Sequence, residues 1–468
     1  MRFRPAAIAL VVAVVLGACD SGSPEGRPSL RRPMSSPAGE DTTIVGLVAT
    51  MSGPDAWRGE DAFEGADLAV HELNRGAGEG DRRYELVTLD DEGDPARAAE
   101  LVTRLALSDR TAGVVYGGPP EGLPSAEAAL EESGIPALLC YGDLYSARLL
   151  RPNLFQVSPP YLWQARRIAS YLYRDRRYTR VGLLIPATLG GRTARQSYAQ
   201  AARVFRRRAV VQTYEPDATS LRSQLDALGR ARVQALIVDG DADDFALALE
   251  ELRARGSAYT TTAAARRARP AWRPHVAGFD LALSPRVEPG LVRPGTIVSE
   301  DYARGAHYLP IPSFRAFSAA FDDWWGEPPL GWERRAYEAT RVIGWGVDRA
   351  VADETSVAEA LAELTKPRRF GGLDVILGAD DHTTVNQPHV GLWVVPRPSA
   401  RVPERDRLPE GLPWVPLARG FSIDGETTDV AARDWRYLIR GAPPARSPSP
   451  KNARWRFGVT TPRSDPVH

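Results

Sequence analysis

The most restrictive feature of this chain is a regular alternation of short apolar runs and amphipathic segments of helical period. The apolar runs predict strands near residues 43–50, 84–89, 112–118, 135–140, 181–186, 210–214, 233–240 and 275–280. The segments between them predict helices of about 10–15 residues. Because a parallel strand pair needs a crossover connection, this alternation predicts an α/β fold of parallel sheets flanked by helices.

The alternation is interrupted near residues 152–160, which indicates two lobes. A chain of 468 residues is long enough for two separate cores. In open parallel sheets, ligands bind beyond the carboxyl ends of the strands. Candidate binding residues are therefore expected at 50–59, 90–94, 116–122, 140–146, 186–191, 239–244 and 279–283.

Residues 1–18 have the composition of a secretory signal peptide. Two arginines precede an unbroken apolar run from Ala6 to Leu16, and the ending Leu-Gly-Ala-Cys resembles a bacterial lipobox. That resemblance implies lipidation of Cys19 and attachment to the periplasmic face of a bacterial membrane. An ordinary signal peptide with an incidental cysteine is the alternative. Residues 19–42 are rich in Ser, Pro and Gly and predict a flexible tether.

The composition argues against several other classes of protein. The chain has 59 basic and 59 acidic residues, so a nucleic-acid partner is not expected. With Cys19 lipidated, Cys140 has no partner for an internal disulfide. No Gly-x-Ser-x-Gly elbow, P-loop or HExxH motif is present, and the Asp-Asp-His turn at 380–382 fits no standard metal spacing. No enzyme activity, cofactor or metal is predicted.

A family resemblance is carried by an ordered set of segments along residues 44–395. They are IVGLVATMSGPDAWRGEDAFEGADLAVHELNRGAG (44–78), LVTLDDEGDPARAAELVTRL (86–105), ESGIPALL (132–139), RPNLFQVSPP (151–160), AYEATRVIGWGVDRA (336–350) and RRFGGLDVILGADDH (368–382). Together these segments resemble the type I periplasmic solute-binding proteins, in particular the branched-chain amino-acid (Leu/Ile/Val) receptors of ABC importers.

This resemblance implies two Rossmann-like lobes joined by a three-crossover hinge. The expected bounds are 43–158 plus 286–375 for lobe 1, 159–285 plus 376–400 for lobe 2, and 401–468 for a partly disordered C-terminal extension. The implied function is capture of a small polar solute, such as an amino acid or amide, in the interlobe cleft. The implied partner is an ABC permease in the inner membrane.

In lobe 1, the loop after the first strand holds three candidate ligand contacts. Ser52 ends that strand, where a hydroxyl and free N–H groups can hold an anion. The family places an aromatic residue in the following loop, and here Arg58 aligns with it, preceded by Trp57. Arg58 is expected to grip a carboxylate and Trp57 to cover the ligand. A solvated arginine and a tryptophan that packs within the lobe are the alternative.

Two further loops depart from the family pattern. The usual Ser/Thr-rich carboxylate clamp is replaced by residues 116–121, where prolines remove N–H donors and Glu121 would repel an anion. The next loop offers Tyr141 and Asp143 instead of Ala-Thr or Ser-Thr.

In lobe 2, Asp280 stands where the family often has an acid that pairs with the ligand's amino group, and Asp241 aligns near a further ligand-facing position. With Asp143 and Arg58 they predict a polar, net acidic cleft, which favours a cationic or polyhydroxylated ligand over leucine. The alternative is that each aspartate caps a helix. The altered clamp and the extra tail also leave open a ligand-sensing or protein-binding envelope regulator that does not transport.

Overall fold

The computed structural model describes residues 42–53, 55–78, 81–143, 151–258, 272–283, 287–301, 312–329, 332–372, 374–379, 381–385, 390–395, 415–416, 421–423 and 426–428. The predicted signal peptide, Cys19 and nearly all of the tether lie outside these residues. Within the described ranges, no helix combines the length and apolar composition that crossing a bilayer requires.

The first sheet contains five parallel strands in the order β2-β1-β3-β4-β5. They are β1 (Thr42–Ala49), β2 (Arg83–Asp90), β3 (Thr111–Gly117), β4 (Ala137–Leu139) and β5 (Leu154–Gln156). The strands β3, β4 and β5 are buried along their whole length, because helices cover both faces of the sheet.

Three helices connect these strands: α1 (Ala56–Arg75), α2 (Pro95–Ala106) and α3 (Leu123–Ser133). The start of α2 follows the predicted capping pattern, since the Ala96 N–H donates to Asp94 Oδ1 over 2.8 Å and Pro95 follows the cap. The end of α3 is set by Gly134, whose φ of 68° is left-handed and favours glycine.

The second lobe begins with α4 (Tyr161–Ala169) and continues as alternating strands and helices. They are β6 (Val181–Pro186), α5 (Leu189–Arg203), β7 (Val210–Tyr214), α6 (Arg222–Arg230), β8 (Ala235–Val238), α7 (Ala242–Ala258), β9 (His275–Gly278) and β10 (Ile297–Asp301). The five strands are parallel in the order β10-β9-β8-β6-β7. The helix α7 continues through Gly256, where the sequence predicted its end.

The chain then returns to the first lobe, where it forms α8 (Pro312–Trp325), α9 (Glu333–Asp353) and α10 (Val357–Ala362). The helix α9 packs closely on α1: a Cβ added at Gly65 would lie 1.8 Å from the Glu333 carbonyl oxygen. This close approach needs glycine at residue 65, and it places the first turn of α9 beside the carboxyl end of the first sheet.

The remaining strands are short. They are β11 (Arg368–Arg369), β12 (Asp374–Val375), β13 (Val390–Val394), β14 (Val415–Pro416), β15 (Phe421–Ile423) and β16 (Glu426–Thr428). The pairs β11–β12 and β15–β16 are antiparallel hairpins. The second sheet is extended by β13, which pairs antiparallel with β10, and by β14, which pairs antiparallel with β13.

Three of the predicted lobe boundaries differ from the structure. The boundary at 376 assigns residues 377–385 to lobe 2, whereas Leu377 packs in the core of lobe 1 and Thr383 forms a bridge with Gln156 of β5. The boundary at 286 assigns 297–301 to lobe 1, whereas β10 pairs with β9 in the second sheet. Val287 and Val292 also pack in the second lobe's core, so the second crossover falls between 301 and 312. The predicted extension from 401 contributes β14 to the second sheet. Its other residues outside β14, β15 and β16 are not described.

Each sheet has an apolar layer on both faces. In lobe 1 one layer packs under α1 and α9 and the other under α2 and α3. In lobe 2 the layers lie under α4 and α5 and under α6 and α7. The two α/β lobes with their flanking helices match the predicted fold class.

Candidate functional site

The order of the strands places a crevice at one position in each sheet. The order reverses between β1 and β3 in the first sheet and between β6 and β8 in the second. Ligands of open α/β sheets bind in the crevice outside the carboxyl ends of the strands at such points. The predicted site residues follow the carboxyl ends of β1, β3, β4, β8 and β9. The predicted site residues therefore lie at the sheet edges where an interlobe ligand is expected.

Three aromatic rings of lobe 1 pack together beside the expected cleft. Trp57 packs edge-on against Trp332, with ring centroids 5.4 Å apart, and Tyr141 stacks on Trp332 at 5.5 Å. The Tyr141 hydroxyl donates to the Arg58 carbonyl oxygen over 3.0 Å. Trp57 therefore packs within lobe 1, as the alternative interpretation of the sequence holds, and its role in covering a ligand stays a prediction.

The lobe 1 mouth carries the other three predicted contacts. Ser52 is exposed just beyond β1, and Glu121 is half-buried in a short turn after β3. Arg58 is half-buried, lies 5.5 Å from the Trp57 ring centroid, and pairs with Asp55 at 3.5 Å. Its Nε is buried and makes no hydrogen bond with a described residue. Arg58 thus holds one unsatisfied N–H, and its contact with a ligand stays a prediction.

Asp280 is fully buried and is paired with a residue of the opposite lobe. Its Oδ2 lies 3.2 Å from Nη2 of Arg335, which belongs to the first turn of α9 in lobe 1. Each side chain is 1% exposed. The cationic partner predicted for Asp280 was the ligand's amino group. In this structure the partner is the chain's own guanidinium, and contact between Asp280 and a ligand stays a prediction.

Asp143 lies in the loop that follows β4 and contacts the start of lobe 2. Its Oδ2 accepts a hydrogen bond of 2.7 Å from the backbone N–H of Tyr161, the first residue of α4. This is the helix-capping role that the sequence analysis left open. Burial raises the pKa of the Asp143 carboxyl to about 7 against the lowering effect of that N–H, and the Asp280 charge raises it further.

Asp241 also caps a helix. Its Oδ1 accepts from the Asp244 N–H over 2.8 Å, and its own N–H donates to Asp244 Oδ2 over 3.2 Å. These reciprocal bonds satisfy free N–H groups at the start of α7. Asp241 is half-buried, so its position agrees with the capping alternative.

The acid that the sequence analysis missed is Asp239. It follows β8 directly, at the switch point of the second sheet, and is 2% exposed. Neither carboxylate oxygen has a partner at hydrogen-bonding geometry among the described residues. Burial raises the pKa of Asp239 to about 7; the nearby Tyr161 phenol and Gly240 N–H oppose this, and the Asp280 charge adds to it. An aspartate that ends an apolar strand is the signal available in the sequence, whereas the family resemblance points to Asp241.

Arg335 was also missed, although Arg334 and Arg335 stand together in the sequence beside the resembling segment 336–350. Two basic residues in the first turn of a helix oppose its macrodipole, which is the signal that would have identified them. Arg334 pairs with Glu338 one turn along α9, and both are buried. Arg335 instead points to the cleft.

A second buried cluster contains Asp61, Glu64 and Glu333, whose carboxylates lie within 4.8 Å of one another. Carboxylate oxygens are ligands that divalent cations accept. Asp61 and Glu333 lie close enough to Tyr141 to raise the pKa of its phenol, alongside the larger effect of burial. The sequence analysis did not find this cluster, because its members come from helices distant in the sequence.

Comparison with known proteins identifies the family. The family model described as periplasmic binding protein matches residues 42–395, so the chain belongs to the periplasmic binding protein family. Membership implies a location outside the cytoplasm. No curated protein sequence is significantly similar to this chain.

Several solved structures share the fold at low sequence identity. A type 1 periplasmic binding protein from Bordetella pertussis is 19% identical with a TM-score of 0.65, covering 79% of this chain and 99% of its own. The branched-chain amino-acid transporter substrate-binding protein LivJ from Streptococcus pneumoniae, solved with isoleucine, is 18% identical with a TM-score of 0.58, covering 80% and 99%. A fatty acid ABC transporter substrate-binding protein from Thermomonospora curvata is 15% identical with a TM-score of 0.65, covering 86% and 95%. These relatives are binding proteins, and the ligands named for them differ.

Proposed function

We propose that this protein is a lipid-anchored, extracytoplasmic solute-binding protein that captures a small polar ligand between its lobes and delivers it to an ABC permease of the inner membrane. The ligand is an amino acid, an amide or a related compound with a cationic or donor-rich group. Family membership supports binding rather than catalysis. The solved relatives named as ABC transporter proteins support the transport role.

One observation carries the proposal for the ligand: Asp239 is buried near Asp280 at the switch point of the second sheet, and although the Tyr161 phenol and the Gly240 N–H lie near its carboxyl, neither oxygen has a donor at hydrogen-bonding geometry among the described residues. Buried polar groups are normally hydrogen-bonded, so an unpartnered buried carboxyl marks a place for a donor. A ligand ammonium or amide N–H in the cleft would supply it.

The binding test is a thermal-shift screen of the mature chain in detergent with amino acids, amides, polyamines, sugars and short peptides. A ligand at about 100 times its Kd adds roughly 2.7 kcal/mol to folding stability, which raises the midpoint visibly. Asp239→Asn should abolish the shift, whereas Asp226→Asn, an exposed aspartate of the same lobe, should preserve it. Failure of every compound to shift the wild-type midpoint would contradict solute binding.

Lipid anchoring is tested separately through Cys19. The Cys19→Ser variant should move from the membrane fraction to the soluble fraction, because one residue carries the predicted attachment. Retention of Cys19→Ser in the membrane fraction would contradict the anchor. Neither outcome bears on whether the cleft binds a solute.

A second candidate function is an envelope regulator that uses the same fold without transport. The buried ion pair between Arg335 and Asp280 favours it, because that pair joins the lobes through the acid expected to hold a ligand. A regulator of this kind should bind no compound of the panel and should interact with an envelope protein instead of a permease. Reconstituted uptake with the cognate permease separates the two functions.

A further inference from the structure

Arg335 lies at the junction of the two lobes. Its Nη1 donates to the Cys140 carbonyl oxygen beyond β4 of lobe 1 over 3.1 Å. Its Nη2 donates to Asp280 Oδ2 beyond β9 of lobe 2 over 3.2 Å. A single guanidinium therefore binds groups of both lobes at the carboxyl ends of their sheets.

Aromatic faces complete the surroundings of this guanidinium. Its central carbon lies 4.7 Å from the Trp332 ring centroid and 6.0 Å from that of Tyr141. The two rings are stacked at an interplanar angle of 26°. A carboxylate, a carbonyl oxygen and aromatic faces are the groups that recognise guanidinium ions in proteins.

The carboxylate of this site is oriented by a neighbour. The Gln164 Nε2 donates to Asp280 Oδ1 over 3.2 Å, and the Asp280 N–H donates to Gln164 Oε1 over 3.0 Å. This paired contact holds the side chain so that Oδ2 meets the guanidinium. Such preorganisation lowers the entropy that is lost when a cation binds.

The position of Arg335 is unfavourable apart from these contacts. It lies in the first turn of α9, where the helix macrodipole disfavours a positive charge. It is also completely buried, so its charge has lost its hydration. The groups around it therefore offset two penalties, which is the behaviour expected of a real cation-binding site.

We propose that Asp280, the Cys140 carbonyl, Trp332 and Tyr141 form a guanidinium-binding site in the cleft, and that Arg335 fills it as an internal ligand. The inference rests on the proposed function only in that a solute would enter the same cleft. Arg335 holds the lobes together, and a solute that reaches Asp280 carries a guanidinium or ammonium group and displaces Arg335.

The experiment is chemical rescue of Arg335→Ala in the full mature chain, followed by hydrogen exchange of peptides covering 137–143 and 275–283. We expect these peptides to exchange at least about tenfold faster in the variant, since breaking a buried ion pair is strongly destabilising. Methylguanidinium should restore their protection and raise the thermal midpoint. The neutral isostere N-methylurea should do neither.

Arg341→Ala provides the matched control, because Arg341 lies on the same helix and pairs with Glu72 away from the cleft. In Arg341→Ala, the peptides covering 137–143 and 275–283 should exchange hydrogen as in the wild type, and methylguanidinium should not alter their exchange. Unchanged exchange in Arg335→Ala would overturn the proposal. Equal effects of methylguanidinium on the wild type, on Arg341→Ala and on Arg335→Ala would also overturn it.

If Arg335→Ala does not fold on its own, it is refolded in the presence of methylguanidinium or of N-methylurea. Recovery of folded protein with methylguanidinium alone would support the proposal, and recovery with neither compound or equally with both would overturn it.

The outcome is distinguishable from that of the proposed function. Rescue by methylguanidinium with no solute hit in the wild type would support the internal ligand and contradict solute capture. A solute that shifts the wild-type midpoint, together with no rescue by methylguanidinium, would support solute capture and contradict the internal ligand.

Discussion

The two faces of the cleft differ in the kind of polar group that they leave unsatisfied. Lobe 1 contributes the aromatic rings and the guanidinium of Arg335, and its buried Trp57 Nε1 and Arg58 Nε make no hydrogen bond with a described residue. Lobe 2 contributes carboxyls, of which Asp280 is paired across the cleft while neither oxygen of Asp239 has a donor at hydrogen-bonding geometry among the described residues. The difference indicates that lobe 1 supplies donors and a packing surface and that lobe 2 supplies the acceptors that would select a ligand.

The largest effect should come from breaking the charge pair that joins the two faces. Arg335→Met and Asp280→Asn should each lower the free energy of unfolding by about 3–5 kcal/mol, because each leaves a buried charge uncompensated. The double variant should cost less than the sum of the two. Urea unfolding of the wild type, the two single variants and the double variant measures this double-mutant cycle. Strictly additive losses of free energy would contradict a direct coupling between the lobes.

The next largest effect is a gain in the free energy of unfolding, and it concerns Asp239. Its folded pKa is raised to about 7 from 3.8, so its carboxyl favours folding only while protonated, and that stabilisation is lost as the pH rises from about 4 through 7. Asp280, Asp244 and the Tyr161 phenol face this group. Asp239→Asn should therefore be more stable than the wild type at pH 8, by a few kcal/mol at most, and should lose that advantage near pH 4.

The control for Asp239 is Asp226→Asn. A hydrogen bond from Arg255 lowers the pKa of the Asp226 carboxyl, so its replacement should give no gain at pH 8. Thermal midpoints at pH 4, 6 and 8 provide the measurement. If the thermal midpoint of Asp239→Asn depends on pH in the same way as that of the wild type, Asp239 is not the unsatisfied carboxyl of lobe 2.

A smaller effect should separate helix capping from ligand contact in lobe 2. Asp241→Ala removes the acceptor for the Asp244 N–H and should cost about 1 kcal/mol of stability. If capping is its whole role, the affinity for a bound solute will not change. Unfolding and titration of the same variant test both points, and a loss of affinity at unchanged stability would make Asp241 a ligand contact.

The smallest effect is expected at the lobe 1 mouth. Arg58→Ala removes a partly exposed pair with Asp55 and should change stability by no more than about 1 kcal/mol. Added salt should reduce this difference further. A salt-independent loss well above that range would mean that the contact between Arg58 and Trp57 stabilises the mouth, as a desolvated cation–π pair can.

Much of the fold could be predicted from local pattern. The strand at Val181–Pro186 and the strand at Val210–Tyr214 have their predicted bounds, and the cap at Asp94 was recognisable from its proline. The lobe boundary near 286 was misplaced because strand pairing, which assigns 297–301 to the second sheet, is not a local property.

The sequence by itself determined the fold class, because the periods of strands and helices and their capping residues depend on neighbours along the chain. It also placed Asp143, Asp241 and Asp280 at strand ends. Only the tertiary structure decided which of these acids is used internally, since Arg335 is far from Asp280 in sequence and meets it only after both lobes have folded. The free energy of a charge in this cleft depends on burial and on such distant partners, and neither is encoded in local sequence.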